Sequence, residues 1–289
     1  MPNWDKILTE VEASSQVNAL DKMRKEFFEK IHRETGRNVI SYYSGWLKSP
    51  SPQAMINEQD KNAFMSIIHE LDKSIGVDII MHTPGGDIAA TESLINYLHK
   101  VFKGDIRVFI PLIAMSAGTM IALSSKEIFM GEQSSLGPVD PQYNGVACQA
   151  IIEEFEQAKR DVIENPNTMG LWQTIISKYP ATFILECQNA INWANDLMDK
   201  WLVEVSPQIN ISKVKDKFLN HKNSRSHSRH LAKEDCKSVG LNISDLEEFP
   251  ELNDAVMSLH NCYMIMIDKY QYAKILESQK GEICICRTT

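Results

Sequence analysis

Ile110-Pro-Leu-Ile-Ala-Met-Ser-Ala-Gly-Thr-Met-Ile-Ala-Leu123 sets one serine, Ser116, between an apolar run of strand character and an apolar run of helix character. A tight turn at such a junction lifts the hydroxyl out of a core. It also leaves the backbone N–H of Ala117 at a helix N-terminus, where the dipole favours negative charge. Upstream, Val77-Asp-Ile-Ile-Met-His-Thr-Pro-Gly-Gly-Asp87 is a second strand that runs into Gly85 and Gly86. A glycine lets the backbone approach a bound group closely, so either one can supply the second donor to an oxyanion. An exposed hydroxyl beside two convergent N–H groups is the equipment of nucleophilic acyl transfer.

Outward from these two turns, hydrophobic spacing predicts alternating strands and helices. Helix 5–35 is followed by strand 38–47 and by helix 57–74, with Asn57 as its cap. Strand 77–81 then leads to helix 88–102, with Asp87 as cap, and strand 106–113 to helix 117–124 and strand 127–130. This order implies parallel strands with crossover helices, and a strand such as Val108-Phe-Ile-Pro-Leu-Ile113, apolar on both faces, implies helices on each side. Beyond residue 150 the pattern is helical, over 150–164, 171–178, 182–205, 212–222, 231–241 and 251–273. The expected organisation is one domain over 1–289: an N-terminal helix 5–35, an α/β core over about 36–150 and a helical C-terminal part over about 151–289.

The composition narrows the function classes. A net charge of −8 on 289 residues argues against nucleic-acid binding, which needs basic patches to displace counterions. The one basic stretch, His221-Lys-Asn-Ser-Arg-Ser-His-Ser-Arg-His230, reads as a solvated loop. The apolar runs fall far short of the roughly 20 residues that span a bilayer, and the polar N-terminus lacks a signal-peptide apolar region, so a cytoplasmic protein is expected. Six scattered cysteines read as free thiols of a reducing compartment. Cys284 and Cys286 share one face of an extended tail without a second ligand pair, so no metal site is expected.

A serine needs a base. His82 falls in strand register and reads as a satisfied core histidine, and no histidine occurs between His99 and His221. Lys159 has apolar neighbours at Phe155 and Val162, which turns its stem inward; by itself this reads as a surface lysine that snorkels, although a lysine held in an apolar pocket loses its proton more easily and can act as a base. Asp140 reads as a loop aspartate capping backbone N–H groups, Ser134 and Ser135 as loop residues, and Tyr42, Tyr43 and Trp46 as core.

Thr83-Pro-Gly-Gly-Asp87, Met115-Ser-Ala-Gly-Thr119 and Ser135-Leu-Gly-Pro-Val-Asp-Pro-Gln142 together resemble the Clp-protease/crotonase superfamily. More narrowly they resemble the serine dehydrogenase proteinase (SDH) family, related to signal peptide peptidase A. Thr35-Gly-Arg-Asn-Val-Ile-Ser-Tyr-Tyr-Ser-Gly-Trp-Leu47, Phe155-Glu-Gln-Ala-Lys159, Lys178-Tyr-Pro-Ala-Thr-Phe-Ile184 and Glu186-Cys-Gln-Asn-Ala190 extend the likeness over most of the chain. The resemblance implies an α/β fold, a Clp-protease/crotonase-like spiral of ββα units. It also implies a Ser-Lys dyad of Ser116 and Lys159, with Lys178 as the next candidate base and with Gly85, Gly86 and Ala117 as the oxyanion hole. Where the Clp-protease pattern carries a histidine after the serine, Val139-Asp-Pro-Gln142 stands here, which favours the lysine.

The expected activity is that of a serine peptidase on a peptide or protein substrate, without metal or organic cofactor. A crotonase-like acyl-CoA enzyme, with Asp140 as its carboxylate, and a non-catalytic assembly module are the alternatives. The resemblance further implies a homo-oligomer and allows a membrane-anchored partner.

Overall fold

A computed structural model describes residue 4, residues 7–9 and residues 19–288. After α1 (Ala19–Thr35) come β1 (Asn38–Ser44), α2 (Glu58–Ile67), β2 (Val77–His82), α3 (Ile88–Phe102), β3 (Ile106–Ile110), β4 (Ile113–Ala114), α4 (Ala117–Leu123), β5 (Glu127–Met130) and β6 (Ser135–Leu136). A hairpin of β7 (Gln142–Tyr143) and β8 (Val146–Ala147) leads into α5 (Cys148–Glu164), α6 (Met169–Ile176), α7 (Phe183–Val205), α8 (Ile211–Phe218), α9 (His221–Ser224) and α10 (Lys233–Ser238). The chain then returns to sheet through β9 (Ile243–Asp245), the long helix α11 (Pro250–Tyr270), β10 (Tyr272–Ser278) and β11 (Ile283–Arg287).

The main sheet has the order β11-β10-β1-β2-β3-β5-β9. From β1 to β9 the neighbours are parallel, while β10 runs antiparallel to both β1 and β11. On one face Tyr42, Ile79, Met81 and Val108 pack with Phe64, Leu94, Leu98 and Trp201. On the other, Val39, Tyr43, Ile80 and Phe109 pack with Phe28, Ile31, Leu259 and Tyr263 of α1 and α11. Coverage on both faces is why β1 and β2 are buried at every position.

Several sequence expectations need correction. The C-terminal part is not only helical: β9, β10 and β11 all join the main sheet. Strand β10 lies inside it, although Tyr-Ala-Lys-Ile-Leu-Glu-Ser offers no clean apolar signal. Its polar side chains are buried as partners, Lys274 with Asp60, and Glu277 with Arg24 and Tyr263. The strand expected over 106–113 breaks at Pro111, which has no N–H to give to a ladder, and β4 pairs instead with β6 in a separate small sheet. Helix α2 begins at the Asn57 cap, with a capping box to Asp60, but stops at Ile67. Of the helix expected over 5–35, residues 5–6 and 10–18 lie outside the described residues.

His82, expected to be a satisfied core histidine, is fully buried with neither ring nitrogen hydrogen-bonded. Its ring lies 4.4 Å from Trp46 and 5.5 Å from His260. Burial, together with His260, pushes the His82 imidazole down to about 3, and burial takes His260 to about 4. Both are neutral in the folded chain, whereas in the unfolded chain they take up protons near their ordinary value. Their contribution to stability is therefore complete above about pH 6.5 and is lost as the pH falls from there toward 4 and 3. Melting temperature should drop over that window, and the drop should be shallower in His82→Phe; an identical pH slope in that variant would refute the assignment.

Candidate active site

Ser116 has φ 50° and ψ −117°. A residue with a Cβ avoids this region, at a cost of about 1–3 kcal/mol that the surroundings must offset. The Gly118 N–H donates to the Met115 carbonyl at 2.8 Å, closing the turn, and the Met120 N–H donates to the Ser116 carbonyl at 3.1 Å, starting α4. The serine side chain makes no cap hydrogen bond, so its hydroxyl is uncommitted.

The Gly-Gly turn abuts this one. Thr83 N–H donates to the Ile113 carbonyl at 3.1 Å and Met115 N–H to the Thr83 carbonyl at 3.0 Å, strapping the end of β2 to the serine strand. Gly85, at φ +93°, has no room for a side chain: a Cβ would lie 2.8 Å from Ala117 N and 2.8 Å from Ser116 Cβ. On its far side the turn is held by Ile56, whose N–H donates to the Gly85 carbonyl at 2.8 Å and whose carbonyl accepts from Asp87 N–H at 2.9 Å. A Cβ on Gly86 would sit 2.2 Å from that Ile56 carbonyl oxygen. Gly85 N–H is spent on Thr83 Oγ1 at 3.1 Å. Among the described residues, Gly86 N–H and Ala117 N–H meet no protein acceptor.

A third arm runs beside the serine turn. β4 and β6 are parallel, with Ile113 opposite Ser135 and Ala114 opposite Leu136. Thr119 Oγ1 donates to the Ala114 carbonyl at 2.9 Å and accepts from Gly137 N–H at 3.0 Å, clamping the two chains as they leave the ladder. Three residues beyond Gly137 is Asp140, whose side chain is 2% exposed. Its carboxylate meets His221 Nδ1 at 3.0 Å, His227 Nδ1 at 2.9 Å and Gln142 Nε2 at 2.7 Å. Asp140 thus binds imidazoles where backbone caps were expected.

Most of the stretch 221–230 is exposed, as a solvated segment would be, but His221, His227 and His230 bond inward from it. Leu136 and Leu231 exchange backbone hydrogen bonds at 3.0 and 2.8 Å, Val139 N–H donates to the Phe218 carbonyl at 2.8 Å, and His230 Nδ1 meets Ser135 Oγ at 2.7 Å. A carboxylate that takes the Nδ1 proton of a neutral imidazole leaves Nε2 as the acceptor and fixes the tautomer. These histidines lie more than a hundred residues after Ser116. The only signal in the sequence was their density in one short segment.

Lys159 is placed as a surface lysine and not in the closed apolar pocket that a lysine base needs. Its stem lies along a groove of about 610 Å3 formed with Phe155, Val162, Met169 and Trp172, but the side chain is 67% exposed and its ammonium pairs with Glu156 Oε1 at 2.5 Å. Lys178, at the end of α6, is exposed. Among the described residues no group of three or more histidine, cysteine, aspartate or glutamate side chains is arranged to hold a metal ion.

Residues 11–272 match the family model of the ClpP-like SDH-type serine proteinases. Two uncharacterized proteins of Methanocaldococcus jannaschii are similar to the chain. One is 28% identical over 188 residues, covering 65% of this chain and 60% of the relative. The other is 36% identical over 100 residues, covering 35% and 34%. The chain thus spans well under two thirds of the length of these relatives. Among solved structures, an alanine variant of the 1510-N membrane-bound stomatin-specific protease aligns with a TM-score of 0.42 and 16% identity, covering 68% of this chain and 79% of that one.

The contact between the two turns predicts the effect of Gly85→Ala. The positive φ and the overlap with Ala117 N and Ser116 Cβ should cost about 1–3 kcal/mol and displace the serine turn. Thermal melting together with the Ser116 labelling rate checks this; an unchanged rate would mean that the turns are not coupled.

Proposed function

The chain belongs to the ClpP-like SDH-type serine proteinases, and from that premise we propose that it hydrolyses peptide bonds with Ser116 as nucleophile. The observation that carries the proposal is the Ser116 turn, held at φ 50° against Gly85, with the hydroxyl and the Ala117 N–H both uncommitted. Ser116 Oγ attacks the scissile carbonyl, and the Gly86 and Ala117 N–H groups receive the developing oxyanion. One such donor lowers the barrier by about 3–4 kcal/mol. Gly85 serves through its shape, since its N–H is taken by Thr83.

The base in this reading is an imidazole held by Asp140. Its Nε2 takes the Ser116 proton as the Oγ–carbon bond forms, and returns it to the leaving amine as the peptide C–N bond breaks. Water, deprotonated the same way, then bonds to the acyl carbon, and the imidazole returns that proton to Ser116 Oγ as the ester C–Oγ bond breaks. The Asp140–His221–His227 cluster supports this over a Ser-Lys dyad, because the Lys159 ammonium is solvated and already paired with Glu156. It also weighs against the acyl-CoA alternative, whose carboxylate would be Asp140, here engaged by three donors.

Among the described residues no helix is long and apolar enough to cross a membrane. Self-association of the kind that the resemblance implies would cover Ile163, Leu171 and Leu185 on α5–α7, which are 82, 62 and 58% exposed.

A fluorophosphonate probe and a peptide-ester substrate test the assignment. Ser116→Ala should abolish labelling with the fold intact. Asp140→Asn, and whichever of His221→Ala and His227→Ala removes the base, should lower kcat by about 10³–10⁴, while Lys159→Ala should leave it near wild type. Loss of labelling in Lys159→Ala with both histidine variants active would restore the dyad. Wild-type labelling that survives in Ser116→Ala would overturn the whole reading.

A further inference from the structure

Beneath the Gly85-Gly86 turn lies a buried ion pair that neither the nucleophile nor the base uses. Asp60, on α2, and Lys274, on β10, have side chains only 4 and 3% exposed and are joined Oδ1 to Nζ. They are 214 residues apart in the chain. The Asp60 carboxylate takes two further donors on Oδ2, the Tyr42 phenol at 2.9 Å and the Asn57 N–H at 3.0 Å. The Lys274 ammonium also donates to the Met55 carbonyl at 2.9 Å. Ser44, directly opposite Lys274 in the β1–β10 ladder, donates through Oγ to the Ala54 carbonyl at 2.5 Å.

Three of these bonds, from Asp60, Lys274 and Ser44, end on one short segment, residues 54–57, and Ile56 within it pairs with the Gly-Gly turn through both backbone groups. Gly86 packs on that same backbone, too closely for any Cβ. The Tyr42 phenol, whose proton is held by burial and by Asp60, also faces Thr83, which binds the Gly85 N–H. One ion pair therefore ties β10, the start of α2 and the turn that presents the Gly86 N–H.

Resting on the peptidase reading above, we propose that Asp60 and Lys274 are positioning residues of the oxyanion hole, holding Ile56 so that the Gly86 N–H points at the place where the oxyanion forms. A buried carboxylate with three donors in different directions specifies one arrangement, whereas apolar contacts of equal volume would tolerate several. An oxyanion donor works only within a few tenths of an ångström, and a misplacement of about 1 Å costs about 10²-fold in rate.

The test is the double variant Asp60→Leu/Lys274→Met. It replaces the pair with apolar side chains and leaves no unpaired buried charge, so the fold should be retained, with the melting temperature lowered only by the Tyr42 phenol and Asn57 N–H that lose their acceptor. The probe labelling rate and kcat on the peptide ester should nevertheless fall about 10–100-fold with KM unchanged. The Ile56 and Asp87 amides should lose hydrogen-exchange protection while the β2 amides keep theirs, and Lys274→Arg, which keeps the charge, should recover most of the rate. Wild-type labelling and wild-type protection in the double variant would overturn the proposal. If the wild type itself fails to label, the peptidase reading falls, and the exchange of Ile56 and Asp87 still decides whether the pair holds the turn.

Discussion

Ser116 is held in a backbone conformation that a residue with a side chain avoids, and the neighbouring structure is shaped by the need to keep it there. The turn closes on itself from Gly118 to Met115, its front packs on a glycine that has no space for a Cβ, and its back begins a helix whose seven residues are all buried. Strain of about 1–3 kcal/mol at one residue persists only where the surroundings over-determine the conformation. Here the over-determination comes from the parallel sheet: β2 and β3 deliver their C-terminal ends side by side, and the two turns that follow them meet.

Buried charge is the second organising element. Asp78, with no exposure, is bound by Arg37 and Arg107; Glu277 is bound by Arg24 and Tyr263; Asp60 by Lys274 and Tyr42; Asp140 by two histidines. Each pair or cluster joins segments distant in the chain. Removing one member of such a pair leaves an uncompensated charge in a medium that solvates it poorly. One of them, at Asp60 and Lys274, is bonded to the segment whose Ile56 pairs with the Gly-Gly turn.

The parts of the candidate site that could be read from the sequence are those whose chemistry is local. Ser116, Ala117, Gly85 and Gly86 announce themselves because a strand-to-helix junction, small residues and a Gly-Gly turn are features of adjacent positions. The caps Asn57 and Asp87 were legible for the same reason, and both accept the helix N–H bonds expected of them. Strand β10 was not, because its lysine and glutamate are polar in the sequence and buried in the fold. His221 and His227 were not, because nothing near them says that they turn inward onto Asp140. For Lys159 the apolar neighbours at helical spacing do place its stem along an apolar groove, with the ammonium left in solvent beside Glu156.

The sequence by itself determined the alternation of strand and helix, the parallel α/β core and the serine and glycine turns, because periodicity and turn chemistry act over a few residues. Only the tertiary structure decided which polar side chains meet: Asp140 with two imidazoles from the basic stretch, and Asp60 with a lysine from β10. Such meetings depend on how distant segments pack, and a side chain carries no local mark of the partner that will neutralise it.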